Sequence, residues 1–519
     1  TSGTVLDCLA QGLPLIVNAH GATAELPDDW VLKLPDDFTH LELTAALDRL
    51  ASDPKFAREQ AARGQEGVRI AYHPARIGDR FHEAIEGHAS GRAALEKTTV
   101  AAIADFVSPT YPDRDDFRRT SAVLAARRAR PGLRQILYDI TVLAESDAKT
   151  GIQRVVRSIL VNLIANPPPG YRVEPIRMDG HQFRYARAYV TDHLGLPTWV
   201  LPESPVEFDK GDLYLAIDWV PDRLPLVEDW LTDFRRAGGR VVIGVHDLLP
   251  LMLPQYFPPF MPSVMQSWFE TSLRVADQFL CVSATVADDV VKFGRALSQR
   301  QHRRPIAVDY FHNAADLEGS IPSRGRPDDA DDLLKKIRSR RTFLMVGTVE
   351  PRKRHEQVLQ AFQQLWRAEE DVALVIVGKA GWMMGPFAEL LAAHDEAGSR
   401  LFWLQGISDE FLDDVYAASC ALIAASAGEG FGLPLIEAAL HKRPLIARDI
   451  PVFREVAGEH AFYFSGDTPP ELAAALKAWI RADQRGEAPS TEGMTFQTWN
   501  ESTKQVIDRL FAESHYATL

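Results

Sequence analysis

Short apolar segments alternate with amphipathic segments along most of this 519-residue chain. In the middle of the chain the apolar segments are QILYDIT (135–141), DLYLAID (212–218), RVVIGVHD (240–247), QFLCVS (278–283) and AVDYFHN (307–313). Alternation of this kind predicts a parallel β-sheet covered by helices, with a ligand site at the carboxyl ends of the strands. The same pattern returns from residue 341 to about 480. We therefore expect two α/β domains.

Residues 429–437 read EGFGLPLIE and place Glu429 and Glu437 on either side of a glycine-containing loop. Gly430 and Gly432 would let the backbone approach a ligand, and the proline after them suits the first turn of a helix. Free N–H groups at a helix start favour an anion such as a diphosphate. We expect Glu429 on the loop and Glu437 on the first helical turn to face one cavity and to accept hydrogen bonds from hydroxyl groups. A buried turn with a capping carboxylate is the alternative.

Arg352 and Lys353 follow the apolar segment FLMVG closely, within GTVEPRKR (347–354). Arginine supplies a planar fork and lysine a point charge, so this pair can hold two phosphate oxygens without a metal. An exposed basic turn is the alternative. The Asp-rich stretch at 328–332 lies in a predicted linker and not at strand ends. We therefore predict no metal site and metal-independent chemistry.

Taken together, these motifs resemble those of glycosyltransferase family 4, whose members are retaining enzymes of the GT-B fold. The resemblance covers about residues 135–515. It is carried by FLMVGTVEPRKRHEQVLQAF (343–362), LVIVGKAGW (374–382), LQGISDEFLDDVYAASCALIAAS (404–426), EGFGLPLIE (429–437) and RPLIARDIPVFREVAG (443–458). It implies an α/β fold of the GT-B type, in which two Rossmann-like parallel-sheet domains face a cleft. A partial Rossmann-like fragment is expected to precede them.

The resemblance also implies roles for particular residues. Arg352 and Lys353 would hold the diphosphate of a nucleotide sugar, Glu429 would contact the transferred sugar, and Glu437 would hold the ribose. His246, at the start of HDLLPLMLP, resembles the family's active-site histidine near the sugar and phosphate. We expect Arg352, Lys353, Glu429 and His246 to be the catalytic residues.

Further residues are expected to bind the two substrates. The expected donor-binding residues are Gly347, Thr348, Arg352, Lys353, Glu429, Gly430, Phe431, Gly432, Leu433 and Glu437, and the expected acceptor-binding residues are Gly151, Asp218 and Trp219. Asp247 is expected to orient its turn. Several branches of the family have a basic residue where Thr348 stands here, so Arg354 could substitute for that missing contact.

The N-terminal stretch repeats part of the C-terminal one. TVLDCLAQGLPLIVNAHGATAEL (4–26) aligns with PLIEAALHKRPLIARDIPVFREV (434–456), so that Asp7 falls on Glu437. After a one-residue shift, ELTAALDRL (42–50) matches ELAAALKAW (471–479). Such a long separation indicates a duplicated domain and not a solenoid. Chance similarity between two β–α units is the alternative.

The expected domain boundaries follow from these patterns. They are 1–90, a C-terminal remnant of a preceding glycosyltransferase domain; 91–134, a linker; 135–318, an N-terminal acceptor domain; 319–340, an interdomain linker; 341–480, a C-terminal donor domain; and 481–519, helices that cross back to the acceptor domain. A further glycosyltransferase domain is accordingly expected N-terminal to this sequence.

Charge and composition restrict the partners. A formal charge of −14 argues against nucleic acid as the main partner, because phosphate binding needs a basic face. Three cysteines, far apart, favour a reducing cytoplasm. No apolar run approaches the roughly 20 residues that a membrane span requires. The Arg-rich linker at 91–134 is expected to be a solvated helix or a peripheral contact with the inner face of the cell membrane, where lipid-linked acceptors lie.

GTVEPRKRH together with GKAGW resembles the bacterial branch that builds O-antigen and capsular polysaccharide. We therefore expect transfer of a hexose, with mannose from GDP-mannose as the first choice, to a growing glycan or a lipid-linked oligosaccharide. No cofactor beyond the nucleotide sugar is expected. The alternatives are a rhamnosyltransferase that uses dTDP-rhamnose, a sugar-nucleotide epimerase of the same fold, and a non-catalytic domain that binds glycan or scaffolds a polysaccharide polymerase.

Overall fold

The computed structural model describes residues 3–82, 133–146, 150–193, 203–298, 304–316 and 323–519. The chain divides into two compact units, Thr1–Leu124 and Ala125–Leu519, which are described separately. The predicted linker at 91–134, with the hypothesis of a membrane contact, lies outside the described residues except for residues 133 and 134.

The first unit, in its described part, pairs short parallel strands and flanks them with helices. Its elements are α1 Gly3–Ala10, β1 Ile16–Asn18, α2 Gly21–Ala24, β2 Leu32–Leu34, α3 His40–Ser52 and α4 Pro54–Ala71. Leu9, Val17, Leu26, Val31 and Val68 form its buried apolar cluster. Helix α4 packs on α1 through its buried face, which contains Gln60, Ala61, Gly64 and Val68.

The second unit begins with a lobe built on a mostly parallel sheet. Its elements are β3 Arg134–Asp139, α5 Thr141–Glu145, α6 Gly151–Ala165, β4 Tyr171–Asp179, β5 Gln182–Tyr185, α7 Arg187–His193, β6 Leu213–Ala216, α8 Glu228–Arg236, β7 Arg240–Val245, α9 Leu249–Met252, α10 Met261–Val275, β8 Gln278–Cys281, α11 Ala284–Ser298 and β9 Ala307–Tyr310. Strands β4, β3, β6, β7, β8 and β9 pair in parallel, and β5 pairs with β4 in antiparallel orientation. The central strand β7 is buried beyond its first residue, as expected of an apolar strand covered by helices on both faces.

The second lobe carries a wholly parallel sheet. Its elements are α12 Ala330–Arg338, β10 Arg341–Val346, α13 His355–Arg367, β11 Val372–Val377, α14 Gly385–Ala392, β12 Leu401–Leu404, α15 Asp409–Ala418, β13 Ala421–Ala424, α16 Leu433–Leu440, β14 Leu445–Arg448, α17 Pro451–Ala457, β15 Ala461–Phe464 and α18 Pro469–Gln484. The strand order is β12-β11-β10-β13-β14-β15. The order therefore reverses direction between β10 and β13, and such a switch point opens a crevice at the strand ends.

The C-terminal segment returns to the first lobe. Helix α19, Trp499–Leu510, packs on α6 and buries Trp499 completely. The last strand, β16 Ala517–Thr518, pairs with β9 in antiparallel orientation and forms the edge of the first sheet. Two Rossmann-like lobes are thus present, and the predicted fold class is confirmed.

One predicted segment differs from expectation. The range 319–340 was expected to be a linker, but residues Ala330–Arg338 form helix α12, which packs on α15 and β10 of the second lobe. Its charges occupy the outer face, while Ala330, Leu334 and Ile337 are buried. The second lobe therefore begins at this helix and not at residue 341. None of the described helices combines the length and the apolar character that a bilayer-spanning helix requires.

The first unit has the same element order and strand register as the C-terminal stretch that it was predicted to repeat. Strands β1 and β2 pair in the register that β14 and β15 use: Ile16 pairs with Leu32, and their counterparts Ile446 and Phe462 pair likewise. The order helix, strand, helix, strand, helix is also shared, and helices α3 and α18 both begin with a Thr–Glu capping box. A duplicated domain would show these agreements, and so would two β–α units of similar apolar pattern, because that pattern sets strand register; duplication stays a prediction.

Candidate active site

The candidate site lies where the strand order of the second lobe reverses. The loop after β10 begins at Gly347 and carries Arg352 and Lys353, and the loop after β13 carries Glu429. Since the two strands are parallel neighbours, their carboxyl ends bring the two loops together. The sequence motifs that were predicted to form a site therefore converge at one point of the second lobe.

Arg352, Lys353 and Glu429 form one ion cluster. The Arg352 guanidinium donates to Glu429 Oε2 at 2.8 Å, the Lys353 ammonium pairs with the other oxygen of that carboxylate, and the Ser426 hydroxyl donates to Glu429 Oε1 at 2.7 Å. On its other side Arg352 pairs with Glu350 at 2.6 Å. The three central side chains are only 10–15% exposed, so water screens these charges weakly.

The cluster fixes the charge state of Glu429. Burial by itself would raise the pKa of this carboxyl, but the charges of Arg352 and Lys353 and the hydrogen bonds from Lys353 and Ser426 lower it to about 2. Burial raises the pKa of Glu350, an effect that Arg352 and Lys353 oppose. Glu429 is thus an ionised acceptor at physiological pH, and it is held between two cations.

A small cavity opens beside this cluster. It has a volume of about 20 Å³, which is room for roughly one water-sized group. Its walls are formed by Met345, Val346, Lys353, His355, Ile423, Ala424, Ala425, Ser426, Glu429, Gly432, Pro434, Leu435 and Phe453. The apolar members come mainly from β10, β13 and α16.

Gly430 has a different role from the one expected. A Cβ at this position would lie 1.9 Å from the backbone oxygen of His246 in the first lobe, so the glycine admits the other lobe and not a ligand. The Ser283 hydroxyl, also of the first lobe, donates to the Gly430 carbonyl at 2.7 Å. Gly432 has a φ of 102° at the start of α16, and Gly347 has a φ of 135° beside the Lys353 side chain. These two glycines are required by backbone conformation.

Glu437 does not line the cavity with Glu429. It lies on the second turn of α16 and not on the first, as was expected, and its carboxylate is directed elsewhere. One oxygen pairs with Arg154 of the first lobe, and the other accepts a hydrogen bond from the Tyr416 hydroxyl at 2.7 Å. Arg154 also pairs with Asp409 at 2.9 Å. Glu437 is therefore part of a contact between the lobes in this structure.

His246 comes to the same region from the first lobe, directly after β7. Its Nε2 lies 2.8 Å from the carbonyl oxygen of Ile217 and so carries the proton, which leaves Nδ1 as an acceptor in the neutral ring. Burial lowers the pKa of His246, against the opposing effects of Ile217 and Asp218. Asp247 accepts a hydrogen bond from the Leu249 N–H at 3.0 Å, so it does orient its turn.

Asp218 is committed to a structural task. Its carboxylate accepts hydrogen bonds from the N–H groups of Val142, Leu143 and Trp219 at 2.7–2.9 Å and thereby caps the start of α5. The expected contact with an acceptor sugar would have to compete with these bonds. Trp219 is half-buried beside it.

The remaining predicted residues lie around the cleft. A Cβ on Gly151 would come within 3.4 Å of the Leu433 side chain, so α6 faces the start of α16 across the lobes. Phe431 is buried, with its ring centroid 5.7 Å from that of His312. Thr348 is half-buried, and its methyl would lie 2.8 Å from a Cβ on Gly381.

Arg354, the suggested substitute for a basic residue at position 348, points away from the cavity. Its side chain donates to the carbonyl of Asp467 at 2.7 Å and to Gln357. A phosphate contact by Arg354 stays a prediction and would have to exchange these hydrogen bonds.

Several residues of the site were not predicted from the sequence. They are Arg154, His355, Glu350 and Ser426. Glu350, His355 and Ser426 lie in quoted motifs, and Glu350 and Ser426 could have been found there as polar neighbours of the ion cluster. Arg154 stands in helix α6, whose pattern is that of an ordinary amphipathic helix. In the part of the chain that the structure describes, no group of three or more His, Cys, Asp or Glu side chains could hold a metal ion; metal independence stays a prediction.

Comparison with known proteins gives consistent results. Residues 330–493 match the family model described as glycosyl transferases group 1. The serotype-specific mannosyltransferase WbdA of Escherichia coli is 43% identical over 382 residues, a match that covers 73% of this chain and 46% of WbdA. The O-antigen chain mannosyltransferase RfbU of Salmonella typhimurium strain LT2 is 24% identical over 273 residues, or 52% of this chain and 69% of that protein. This chain thus spans less than half the length of the WbdA relatives.

A solved structure of Anabaena Alr3699/HepE in complex with UDP-glucose aligns with 73% of this chain and 95% of its own, at a TM-score of 0.47 and 17% identity. The fold is assigned from the strand order of the two sheets.

Proposed function

We propose that this chain, whose residues 330–493 match the family model of glycosyl transferases group 1, is a retaining mannosyltransferase. It transfers mannose from GDP-mannose to a growing glycan, free or lipid-linked, during the synthesis of O-antigen or capsular polysaccharide in the cytoplasm. The observation that carries the proposal is the convergence of Arg352, Lys353 and Glu429 at the switch point of the second sheet. The identity to WbdA supports mannose as the sugar.

Arg352 and Lys353 provide the charge that this reaction needs. When the bond between the sugar and the diphosphate breaks, negative charge grows on the departing phosphate, and fixed cations in a poorly solvated site stabilise it. Both cations are now balanced by Glu429. A diphosphate would take over part of that balance, which would free the Glu429 oxygens for hydroxyl groups of the transferred sugar.

His246 completes the site from the first lobe. The hydrogen bond to Ile217 fixes its tautomer, so that Nδ1 is the side of the ring that can accept a proton or a hydrogen bond. The sugar becomes positively charged and oxocarbenium-like as the bond breaks. A neutral histidine suits this state because it adds no positive charge beside the sugar. The acceptor would approach from the first lobe, near Gly151 and Trp219.

Glu437 is proposed to hold the ribose, as the family resemblance implies. Its two oxygens are engaged by Arg154 and Tyr416 in the structure. Binding of the nucleotide would therefore have to exchange at least one of these contacts for a ribose hydroxyl.

The proposal is tested by offering nucleotide sugars one at a time to the purified chain. GDP-mannose, dTDP-rhamnose and a UDP-hexose are each incubated with a mannose oligomer, with and without a chelator, and transfer is followed by mass spectrometry. We expect transfer from GDP-mannose, unchanged by the chelator. Glu429→Ala and Lys353→Ala should each lower kcat by at least about 100-fold, because each removes a group that acts on charge in the transition state.

Exposed residues of the same lobe supply the controls. Lys335→Ala matches Lys353→Ala in charge, and Glu369→Ala matches Glu429→Ala, but both alter exposed side chains and should leave transfer unchanged. If the chain transferred sugar only from dTDP-rhamnose, the proposed donor would be wrong, but the assignment as a glycosyltransferase would stand. Full activity of both site variants would refute the site, and a folded chain that transfers nothing but binds glycan would favour the scaffolding alternative.

A further inference from the structure

His355 is a buried histidine that lines the cavity of the candidate site. It is the first residue of α13 and is 1% exposed. Neither ring nitrogen forms a hydrogen bond with the described part of the chain, although the Glu350 backbone comes near the ring without reaching the required geometry. Buried polar atoms are hydrogen-bonded in the great majority of cases, so an unpartnered imidazole calls for a partner that the chain itself does not supply.

The chemistry of this ring restricts the partner. Burial, and after it the Lys353 ammonium, lowers the pKa of His355 to about 3. The ring is therefore neutral at physiological pH, with one N–H donor and one acceptor nitrogen. A phosphate oxygen could satisfy only the donor. A hydroxyl group both donates and accepts, so it can satisfy whichever ring nitrogen faces it.

The cavity has the size and the walls for such a group. His355 lines it together with Lys353, Ser426 and Glu429, and its volume of about 20 Å³ accommodates one oxygen-sized group. The Ser426 hydroxyl already donates to Glu429 at 2.7 Å. An imidazole nitrogen, a hydroxyl and an ionised carboxylate among the lining groups are hydrogen-bonding partners that suit an alcohol.

We propose that His355 binds one hydroxyl of the sugar being transferred, in a subsite that it forms with Ser426 and Glu429. This inference rests on the proposed function, because it takes the cavity to receive one hydroxyl group of the donor hexose. His355 is then a specificity-determining residue: a donor that lacks this hydroxyl leaves the imidazole unpartnered and is rejected.

The test pairs variants of this histidine with donors that lack single hydroxyl groups. Wild type, His355→Phe and His355→Asn are compared for GDP-mannose and its 2-, 3-, 4- and 6-deoxy analogues, by kcat/KM for transfer and by calorimetric affinity. In the wild type we expect one deoxy donor to lose on the order of 10- to 100-fold. His355→Phe should lose a similar factor with GDP-mannose and should no longer discriminate against that one deoxy donor. His355→Asn, which keeps a donor and an acceptor, should recover part of the loss.

Controls separate this inference from a general packing effect and from the proposed function. His394→Asn alters a half-buried histidine of the same lobe that does not line the cavity, and it should keep the wild-type deoxy profile. An unchanged deoxy profile in His355→Phe overturns the inference while the enzyme stays active. If that variant does not fold, unchanged nitrogen chemical shifts of His355 on adding donor to the wild type would overturn it as well. If the wild type transferred sugar from none of the nucleotide sugars, that result would contradict both the proposed function and this inference.

Discussion

Arg352 holds several buried acids at once. Its guanidinium pairs with Glu350 at 2.6 Å and with Glu429 at 2.8 Å, and Asp247 of the first lobe lies within its electrostatic reach. Burial raises the pKa of Asp247, and Arg352 opposes that rise. This arginine is thus needed for the charge balance of the folded protein as well as for a diphosphate.

Replacing Arg352 should therefore affect stability and activity separately. We expect Arg352→Met to lower the free energy of unfolding by about 3 kcal/mol, because Glu350 and Glu429 are left with Lys353 alone. Arg352→Met with Glu350→Gln should recover a large part of that loss without restoring transfer. Urea denaturation at pH 7.5 and the transfer assay measure the two effects.

The matched control for that experiment is Arg367→Met, which removes an exposed arginine of the same lobe and should change stability by less than about 0.5 kcal/mol. Equal destabilisation by both substitutions would contradict a special role for Arg352 in stability. Recovery of transfer in the double variant Arg352→Met with Glu350→Gln would contradict its role in transfer.

Residues of the site were predictable from sequence where the chain itself marks them. Arg352, Lys353 and Glu429 follow apolar strands directly, and parallel neighbours must bring such loops together. Arg154 lacks any local mark, because its partner Glu437 belongs to the other lobe. Gly430 was predicted to contact a ligand because its neighbour also belongs to the other lobe. Only the folded chain shows that the His246 backbone fills the space beside this glycine.

At the scale of elements, the apolar patterns found the buried strands and missed the partly exposed ones. Strands β6, β7, β8 and β9 lie inside the predicted segments. Strand β4 was not predicted, because YRVEPIRMD contains charged residues and a proline and lies next to the antiparallel edge strand β5. Helix α12 was taken for linker because DDLLKKIR has few apolar residues, although their spacing buries one face.

Helix α13 ends in a conformation that its residue disfavours. Glu369, just beyond the helix, has a φ of 59°, and its N–H donates to the Trp366 carbonyl at 3.1 Å. A side chain in this left-handed region costs about 1 kcal/mol that glycine does not incur. Since Glu369 is exposed, we expect Glu369→Gly to raise the free energy of unfolding by about 0.5–1 kcal/mol in a urea titration.

An exposed position inside the same helix serves as the comparison. Gln360→Gly should lower stability by about 1 kcal/mol, because glycine there gains nothing from its backbone freedom. A loss of stability from Glu369→Gly as well would show that the left-handed turn is not the limiting feature of this helix end.

At the scale of the whole second unit, the two lobes are joined by specific polar and aromatic contacts. Glu455 on α17 accepts hydrogen bonds from the N–H groups of Ala284 and Thr285 at the start of α11 and pairs with His312 at 2.7 Å. Trp382 of the second lobe stacks on Phe257 of the first, with centroids 5.6 Å apart. These contacts therefore contribute to holding the two lobes in their present arrangement.

The contact made by Glu455 should also make stability depend on pH. Burial by itself would raise the pKa of this carboxyl, but the hydrogen bonds from His312, Thr285 and Ala284 lower it to about 2. A carboxyl whose pKa is depressed by folding stabilises the protein above its unfolded pKa near 4.5, and that contribution is lost as the pH falls toward 2. The shift corresponds to at most about 3 kcal/mol.

We expect Glu455→Gln to lower the free energy of unfolding by about 2 kcal/mol at pH 7 and to flatten its decline between pH 5 and pH 2. Glu459→Gln, a nearby exposed substitution, should reproduce the wild-type curve; a Glu455→Gln curve parallel to that of the wild type would mean that this carboxylate does not join the lobes in solution.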